Sequence, residues 1–570
     1  MPKARTPVAW GAAGLLGAAA LAGNAPLEVI AVSGASAPGT ESGTTFDSFA
    51  APAINDSGTI AFVANLAGSA TGPTGVYIGS PGAWNLVARE GQTLPSGLGQ
   101  MKSLASSPLS FNAAGQVVFV ARSGSGDGIT RVFRASASGG VIAIASAGQQ
   151  APGLALGVSF RDFGDPVINS VGQITFNASL QGPGIDSTNQ GSIWLYSAGV
   201  LQPVLKGGDI PNVLQPTTTV RELMLPLLNG AGKLAFGGIV QGPLVAPINE
   251  TARWTANGWV SSLQVVGGTL VPLSDDGGGY VIRRVLPGMH RMNSGGTIAF
   301  FADHDDATAP PQFAHSIWLT GSTGIVPIVM RNTSLIAPGE QIQIAAFSSV
   351  AIDGGSGVHF KATVRGANVT DTNDHGYFTR RADGSVVQRM RSGQIAPGMN
   401  SPRTMLELSP YAAIGAGGEL IVSAPLSGFV PGVRYDRVLI VNYPDGTISK
   451  IVATGDTITV GGTPKTISVI GNYYAGNGQD GLASTINSGG TVVLRLRFSD
   501  NSWAMVRTTI RPPCPGDLNG DRQVDDDDFL SFAQYYNDLA PGAGDLNHDG
   551  VTDDSDFVVF STTYDRFLCP

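Results

Sequence analysis

Charge is scarce in this chain. Charged residues make up 13% of 570 positions, too few for a surface that grips a polyanionic backbone, and this excludes nucleic acid as a partner. Histidine is scarcer still: the six histidines, at 290, 304, 315, 359, 375 and 548, show no HExxH or other metal-ligand spacing. A Gly-x-Ser-x-Gly elbow with credible partners is absent, and so is a phosphate-cradling Gly-Lys-Ser/Thr. No catalytic constellation is therefore identifiable. Long apolar runs are missing beyond the first 22 residues, so no stable membrane span is expected. Cysteine occurs only at Cys514 and Cys569.

What is present begins with an N-terminal address. Lys3 and Arg5 precede an uncharged Ala/Gly/Leu run and the small residues Ala20-Leu21-Ala22, the three-part pattern of a secretory signal with cleavage after Ala22. A retained anchor is the alternative, though the run is short and Gly-rich. The expected setting is secreted or cell-surface. Gly 78 and Pro 36, beside a hydrophobic fraction of 42%, suit an all-β chain with many tight turns. The net charge of −9 is unevenly placed: from Cys514 onward thirteen Asp stand against Arg522 and Arg566, a balance of −11, which leaves +2 for everything before. The two cysteines bracket that acidic module and are read as a disulfide that closes it; two free thiols are the alternative.

One phrase recurs along the chain: INDSGTIAF (54–62), FNAAGQVVF (111–119), INSVGQITF (168–176), LNGAGKLAF (228–236) and MNSGGTIAF (292–300), then IDGGSGVHF (352–360), IGAGGELIV (414–422) and INSGGTVVL (486–494). Its Asn position falls at 55, 112, 169, 229, 293, 353, 415 and 487, giving intervals of 57, 57, 60, 64, 60, 62 and 72. Asn can fold its side chain onto nearby backbone and Gly three residues on can take a positive φ, so the phrase reads as a hairpin turn feeding a strand. Ser356 and Gly415 depart from the pattern and specify their turns less firmly. A second phrase, as in RSGQIAPG (391–398), and a third short strand, as in SIWLY (192–196), keep the same rhythm. About four strands per unit of about 60 residues, apolar on both faces, predict a propeller blade.

The expected fold is thus mainly β: an eight-bladed propeller-like ring over 27–510, a linker at 511–513, and a small α-helical module at 514–570. The chain opens with LEVIAVSG, the last strand type of a unit, while the eighth unit ends without one. The opening strand is therefore expected to complete the eighth blade. Two smaller propellers or a β-sandwich array are the alternatives. The periodic phrase resembles bacterial extracellular proteins marked by an Asn-x-x-Gly-x-x-Ala-Phe tandem repeat, a likeness that implies architecture and no activity.

In the tail, DLNGDRQVDDDDF (517–529) and DLNHDGVTDDSDF (545–557) carry oxygen ligands at the spacing of a 12-residue calcium loop. The first set is Asp517, Asn519, Asp521, the Gln523 carbonyl, Asp525 and Asp528; the second is Asp545, Asn547, Asp549, the Val551 carbonyl, Asp553 and Asp556. Two Ca²⁺ sites are expected, the first weaker because Arg522 stands where Gly550 makes the sharp turn in the second. Phe529, Phe532 and Tyr536 recur 28 residues later as Phe557, Phe560 and Tyr564, which predicts two similar helical halves facing each other across a small core. The module is similar to a type I dockerin, especially the variant framed by cysteines. That likeness implies a cohesin-like or cell-surface partner. Loop positions 10 and 11 hold Asp526-Asp527 and Asp554-Ser555 where the family commonly carries Ser-Thr.

For the large domain two readings stand. One is an extracellular non-catalytic binding or scaffold protein whose loops present Trp194, Trp254, Trp318 or Tyr377 to a glycan or protein ligand, with blade packing as the plainer role for those rings. The other is a secreted polysaccharide-active enzyme of glycoside hydrolase type. Asp303-His304-Asp305-Asp306 and Asp275-Asp276 are its densest polar groups, or else solvated loops. Convergence of acidic side chains on one concave face favours the enzyme, and an aromatic or amide-lined rim favours binding.

Overall fold

The computed structural model describes residues 26–564 other than 69–71, 96, 105–108, 211–216, 244, 246–249, 259, 267–269, 273–278, 307–313, 322–323, 333, 338–339, 400–401, 429–435, 475, 511–515, 519–522, 539–543, 545 and 547–551. Residues Ala25–Ile510 form one compact unit, and the two helices belong to another.

The first unit is built of eight antiparallel sheets of four or five strands, contributed in chain order by residues 45–89, 100–146, 159–206, 219–266, 270–330, 334–391, 412–453 and 457–509. We call them blades 1 to 8. Within a blade the strand leading into the Asn turn is innermost, and the chain then steps outward hairpin by hairpin. Blade 8 lacks an outer strand of its own. Glu28–Val32 supplies it, pairing antiparallel with Trp503–Thr509 so that Glu28 faces Arg507 and Val32 faces Ala504. Closure by the opening strand is therefore as expected, and it covers the edge that Trp503–Thr509 otherwise exposes, Glu28–Val32 becoming the outermost strand of blade 8.

Why each phrase ends in a large apolar residue is visible in the register. Phe62 lies opposite Tyr77, Phe119 opposite Phe133, Phe176 opposite Trp194, Phe236 opposite Trp254, Phe300 opposite Trp318 and Phe360 opposite Phe378. In blades 7 and 8 both partners shrink together, to Val422 opposite Ile440 and Leu494 opposite Val506. Stacked pairs such as Phe62 and Tyr77, 5.4 Å between centroids, add about 0.5–1.5 kcal/mol each beyond the area they bury.

Both faces of a blade are covered by its neighbours. One apolar cluster joins blades 1 and 2, another joins 2 and 3, and so on around the ring. The last joins blade 8 to blade 1, with Val493 and Met505 packed against Phe46, Phe62 and Trp84. Continuous burial on two sides explains why the strands read as apolar runs rather than as a strict alternation.

In the second unit, helix α1 spans Asp526–Asp538 and helix α2 spans Asp554–Tyr564. Phe532 and Phe560 stack at 5.1 Å in a small core with Val524, flanked by Tyr536 and Tyr564. The halves are reciprocal: Tyr564 Oη donates to Asp526 at 2.6 Å, and Tyr536 Oη to Asp554. The expected six-ring core is narrower than that, since Phe529 and Phe557 remain 43% and 45% exposed.

Candidate functional site

The Asn of each phrase does two jobs. Its Oδ1 accepts from its own turn, as Asn55 does from Ser57 N at 3.1 Å and Thr59 N at 2.9 Å, with Gly58 at φ 77°. Its Nδ2 donates to the turn of the next blade. Asn55 reaches Asn112 O at 2.8 Å, Asn112 reaches Asn169 O at 3.0 Å, and Asn169 reaches Asn229 O at 3.0 Å. Asn229 reaches Ser294 O at 2.9 Å, Asn293 reaches Asp353 O at 3.2 Å, and Asn487 closes back on Asn55 O at 3.2 Å. The local turn was legible in the phrase. The cross-blade ladder was not, although it explains why Asn recurs: Asp has no donor, and Ser puts donor and acceptor on one short-reaching oxygen, whereas the amide carries them on separate atoms that serve two turns.

A plug enters the axis and leaves a cavity of about 210 Å³ lined by Asn55, Asn112 and Asn169. Residues 471–474 and 476–485, between the inner strand of blade 8 and its Asn turn, run into the ring and bond inner strands of blades 1, 2, 4, 5, 6 and 7. Ile54 N donates to Ser484 O, Leu228 N to Asp480 O and Ile414 N to Gly476 O, at 2.9, 2.9 and 3.0 Å. Ser110 Oγ donates to Gly481 O at 2.5 Å while accepting from Ile168 N at 3.0 Å. Asn477 Nδ2 donates to Ile352 O at 2.6 Å and to Met292 O at 3.3 Å. The plug thus satisfies backbone groups that a hollow axis leaves to water. Its sequence signal was the final interval of 72 where the others run from 57 to 64.

At blades 6 and 7 the ladder breaks. Asp353 has no amide to donate, and Gly415 has no side chain to donate onward to blade 8. In their place Asp353 Oδ2 lies 3.0 Å from His359 Nε2, and His359 Nδ1 lies 2.8 Å from Thr379 Oγ1. Arg389 Nη1 donates to that same hydroxyl at 2.9 Å, and Nε donates to Asn442 Oδ1 at 2.7 Å. With the His359 proton assigned to Nε2, facing Asp353, the neutral ring accepts at Nδ1 from the Thr379 hydroxyl, which itself accepts from Arg389. Burial lowers the His359 pKa, against the pull of Asp353. Burial also opposes ionisation of Asp353, but His359 and the Gly357 amide outweigh it and the carboxyl titrates below its ordinary value. Burial brings Arg389 down to about 10. A cavity of about 200 Å³ lies against this network.

Other cavities open where the inner strands kink, on the side of the ring remote from the Asn turns. One of about 530 Å³ is lined by Ser409, Tyr411, Ser423, Arg437, Asn472 and Tyr473. Tyr411 is 65% exposed, and the Tyr473 hydroxyl, donating to Tyr411 O at 2.8 Å, fixes the segment beneath it. Burial pushes that phenol up to about 12. A second cavity, about 340 Å³, is bounded by Asp165, Asn177, Leu225, His290, Arg291 and Leu482. Leu225 is held at φ 53°, a strained conformation for a γ-branched side chain. A third, about 240 Å³, lies between Phe49 and Trp503.

Several expected site residues fall elsewhere. Trp194, Trp254, Trp318 and Tyr377 are all at most 2% exposed; they are blade core and present nothing to a ligand. Asp303, His304 and Asp305 sit in the strand Ile298–Asp306 rather than in a solvated loop. Asp303 pairs with Arg284 and His315, Asp305 pairs with Arg283, and His304 meets Ser316 Oγ at 2.8 Å. Asp275 and Asp276 lie outside the described residues.

The calcium expectation is corrected. Among the described residues no group of three or more His, Cys, Asp or Glu is arranged to hold a metal ion. The last carboxylate of each loop is engaged by backbone amides instead: Asp528 accepts from Leu518 N at 2.7 Å and Asp525 N at 3.2 Å, and Asp556 from Leu546 N at 2.7 Å and Asp553 N at 2.9 Å. Asp525 and Asp553 in turn accept from Asp527 N and Ser555 N as the helices begin, which is capping work. Of the remaining ligands, Asp517 and Gln523 belong to no such group, and Asn519, Asp521, Asp545, Asn547, Asp549 and Val551 lie outside the described residues. So do Cys514, Cys569 and residues 1–25. No helix among the described residues is long and apolar enough to cross a membrane.

The family described as "Family of unknown function (DUF7453)" matches residues 12–225 and 214–505. This match takes the place of the two resemblances drawn from motifs, and it ends before the tail, where no dockerin assignment is supported. No curated protein sequence matches. Among solved structures the chain is similar to a puromycin hydrolase at 13% identity and TM-score 0.36, over 79% of this chain and 58% of that one. It is similar to the Dos1 propeller at 8% identity and TM-score 0.38, over 81% and 94%. An α-L-arabinofuranosidase from Fusarium graminearum gives 12% identity and TM-score 0.26, over 60% and 91%. Scores this low carry no argument about ligand or reaction.

Proposed function

The chain belongs to the family of unknown function DUF7453, and with no activity to inherit from that family we propose, from the site alone, that it is a binding protein for a polyhydroxylated polymer laid across the kink face of its ring. The observation that carries this reading is the 530 Å³ cavity beneath Tyr411. An exposed aromatic ring on a backbone held by Tyr473, beside Ser409, Asn472 and Arg437, offers an apolar face with hydrogen-bonding groups nearby, which is the chemistry a sugar ring needs. The neighbouring cavities extend the surface around the plug, so a chain of several sugars can bridge them. Export is part of the same proposal and rests on the Lys3/Arg5 and Ala20-Leu21-Ala22 pattern; recovery from the medium of protein beginning at Gly23 supports it, and purely cytoplasmic protein beginning at Met1 opposes it.

The test is affinity electrophoresis of the full chain through gels holding soluble neutral and acidic polysaccharides. Retardation by at least one polymer, lost on Tyr411→Ala with the circular dichroism unchanged, is the expected result. Identical mobility in every gel, or retardation untouched by that substitution, removes the reading.

A polysaccharide-active enzyme is the second reading, favoured by one observation: Asp165, His290 and Arg291 border a single cavity. Reducing ends or new ultraviolet absorbance released during prolonged incubation with the retained polymer separate catalysis from binding.

A further inference from the structure

The interface between blades 4 and 5 holds polar groups that the fold does not explain. Arg253 is wholly buried, its guanidinium 4.8 Å from the centre of the Phe300 ring, and among the described residues none of its nitrogens has a hydrogen-bond partner. Burial brings it down to about 9. His290 is 1% exposed, and neither ring nitrogen closes a hydrogen bond there, although the Ala235 and Leu225 carbonyls lie nearby. Burial first, then the Arg253 and Arg291 charges, hold the imidazole neutral. Desolvated polar groups without partners cost several kcal/mol and are retained where something else uses them.

His290 and its neighbour Arg291 border the 340 Å³ cavity at the kink face. Arg291 uses one Nη to hold the His290 carbonyl at 2.8 Å, which aligns the guanidinium along the cavity wall. The same cavity is lined by Asp165, Asn177, Leu225 and Leu482. Asp480 of the plug also faces Arg291; burial raises its pKa, which weakens it as a counter-charge. The lining therefore brings together a guanidinium, a neutral and almost wholly buried imidazole, an amide and a carboxylate around about 340 Å³.

We propose that this cavity is a uronate subsite: Arg291 takes the ligand carboxylate, His290 and Asn177 bond its hydroxyls, Asp165 accepts from a hydroxyl across the cavity, and the ring rests on Leu225 and Leu482. The inference builds on the polymer-binding reading and narrows it to acidic polysaccharide. Arg291 is then a specificity-determining residue, since a charge-assisted, bidentate contact has no equivalent in a neutral sugar.

The experiment is calorimetric titration of the full chain with a galacturonate hexamer and with the same hexamer after reduction of its carboxyl groups to the neutral sugar. The acidic hexamer is expected to bind at least about tenfold more tightly at low salt, the advantage of one charge-assisted contact. Arg291→Gln is expected to remove that preference by weakening the acidic hexamer at least about tenfold more than the neutral one, and Arg291→Lys to restore part of it. Tyr411→Ala is expected to weaken both ligands alike. Equal affinity for the two hexamers, or a preference that survives Arg291→Gln, overturns the uronate subsite and leaves polymer binding standing. Binding of neither hexamer overturns the subsite. Polymer binding falls with it only if the gels, too, show no retardation.

Discussion

Two arcs of the ring solve the same problem differently. From blade 8 through blades 1 to 5, each turn donates an asparagine amide to the next, and the inner rim is a chain of like hydrogen bonds. Across blades 6 and 7 that chain is replaced by a buried Asp353–His359–Thr379–Arg389 network beside an open cavity. The rim bonds of the first arc use only neutral groups; those of the second involve groups that titrate. The plug joins them, because its backbone bonds strands of both arcs.

The sharpest way to break the comparison is to remove what the arcs share. A Cβ at Gly481 meets Val167 Cγ1 at 2.2 Å and the Leu228 carbonyl at 2.8 Å, with φ at 79°. Gly481→Val is expected to cost about 3 kcal/mol or more and to loosen both arcs, read from the urea midpoint and from hydrogen exchange at Ile54 and Ile414. Intact protection at both amides argues against a common support.

Next comes the ladder by itself. Asn169→Asp keeps the oxygen that accepts from Gln173 N but removes the donor to Asn229 O. It is expected to cost about 1–3 kcal/mol, as a buried carbonyl loses its partner and a carboxylate is placed beside it. Asp353→Asn in the other arc is expected to cost no more than about 1 kcal/mol, because the His359 tautomer can reverse to accept from the new amide. Equal losses at the two positions would erase the distinction between the arcs.

The pH dependence draws on both arcs, through His290 in blade 5 and His359 in blade 6, and the His359 variant isolates the share of the second. His359 and His290 titrate below the ordinary histidine value of 6.5 in the fold, so the unfolded chain binds their protons first. Their contribution is complete above about 6.5 and is lost as pH falls from there towards their folded values. The urea midpoint is expected to drop between pH 7 and 5, and His359→Gln to flatten part of that drop. A midpoint that rises on acidification contradicts the burial of both rings. Smallest of all is the exposed pair of Glu28 with Arg507 at the closing strand, 2.7 Å apart; Glu28→Gln is expected to change stability by less than about 0.5 kcal/mol.

Much of the ring was legible because its cause is local and repeated. Each phrase carries its own turn, its own aromatic for a cross-strand partner, and strands apolar on both faces, so eight copies announce eight blades. The opening strand betrayed itself by being a fourth strand with no third before it. What stayed hidden acts between copies. The amide of Asn112 looks like any turn residue until the next blade brings the Asn169 carbonyl to 3.0 Å. His359 occupies the place where Ala61 or Val118 stands in other phrases, and nothing within 20 residues says that Thr379 and Arg389 will meet it. Arg253 and His290 are likewise ordinary in sequence, and their burial without partners exists only at the seam between two blades. The tail misled for the opposite reason: regular carboxylate spacing suggested metal ligation, whereas Asp528 and Asp556 are engaged with the amides that precede their helices.

The chain's own order of residues determined the blade, the number of blades and the strand that closes them, since periodic burial and turn chemistry operate over a few neighbours at a time. Only the closed ring decided that the axis is plugged, that the asparagines form a rim and that cavities remain at the kinks. Those features arise where segments hundreds of residues apart are pressed together, and there the need to satisfy buried polar groups is set by whichever neighbours the fold supplies.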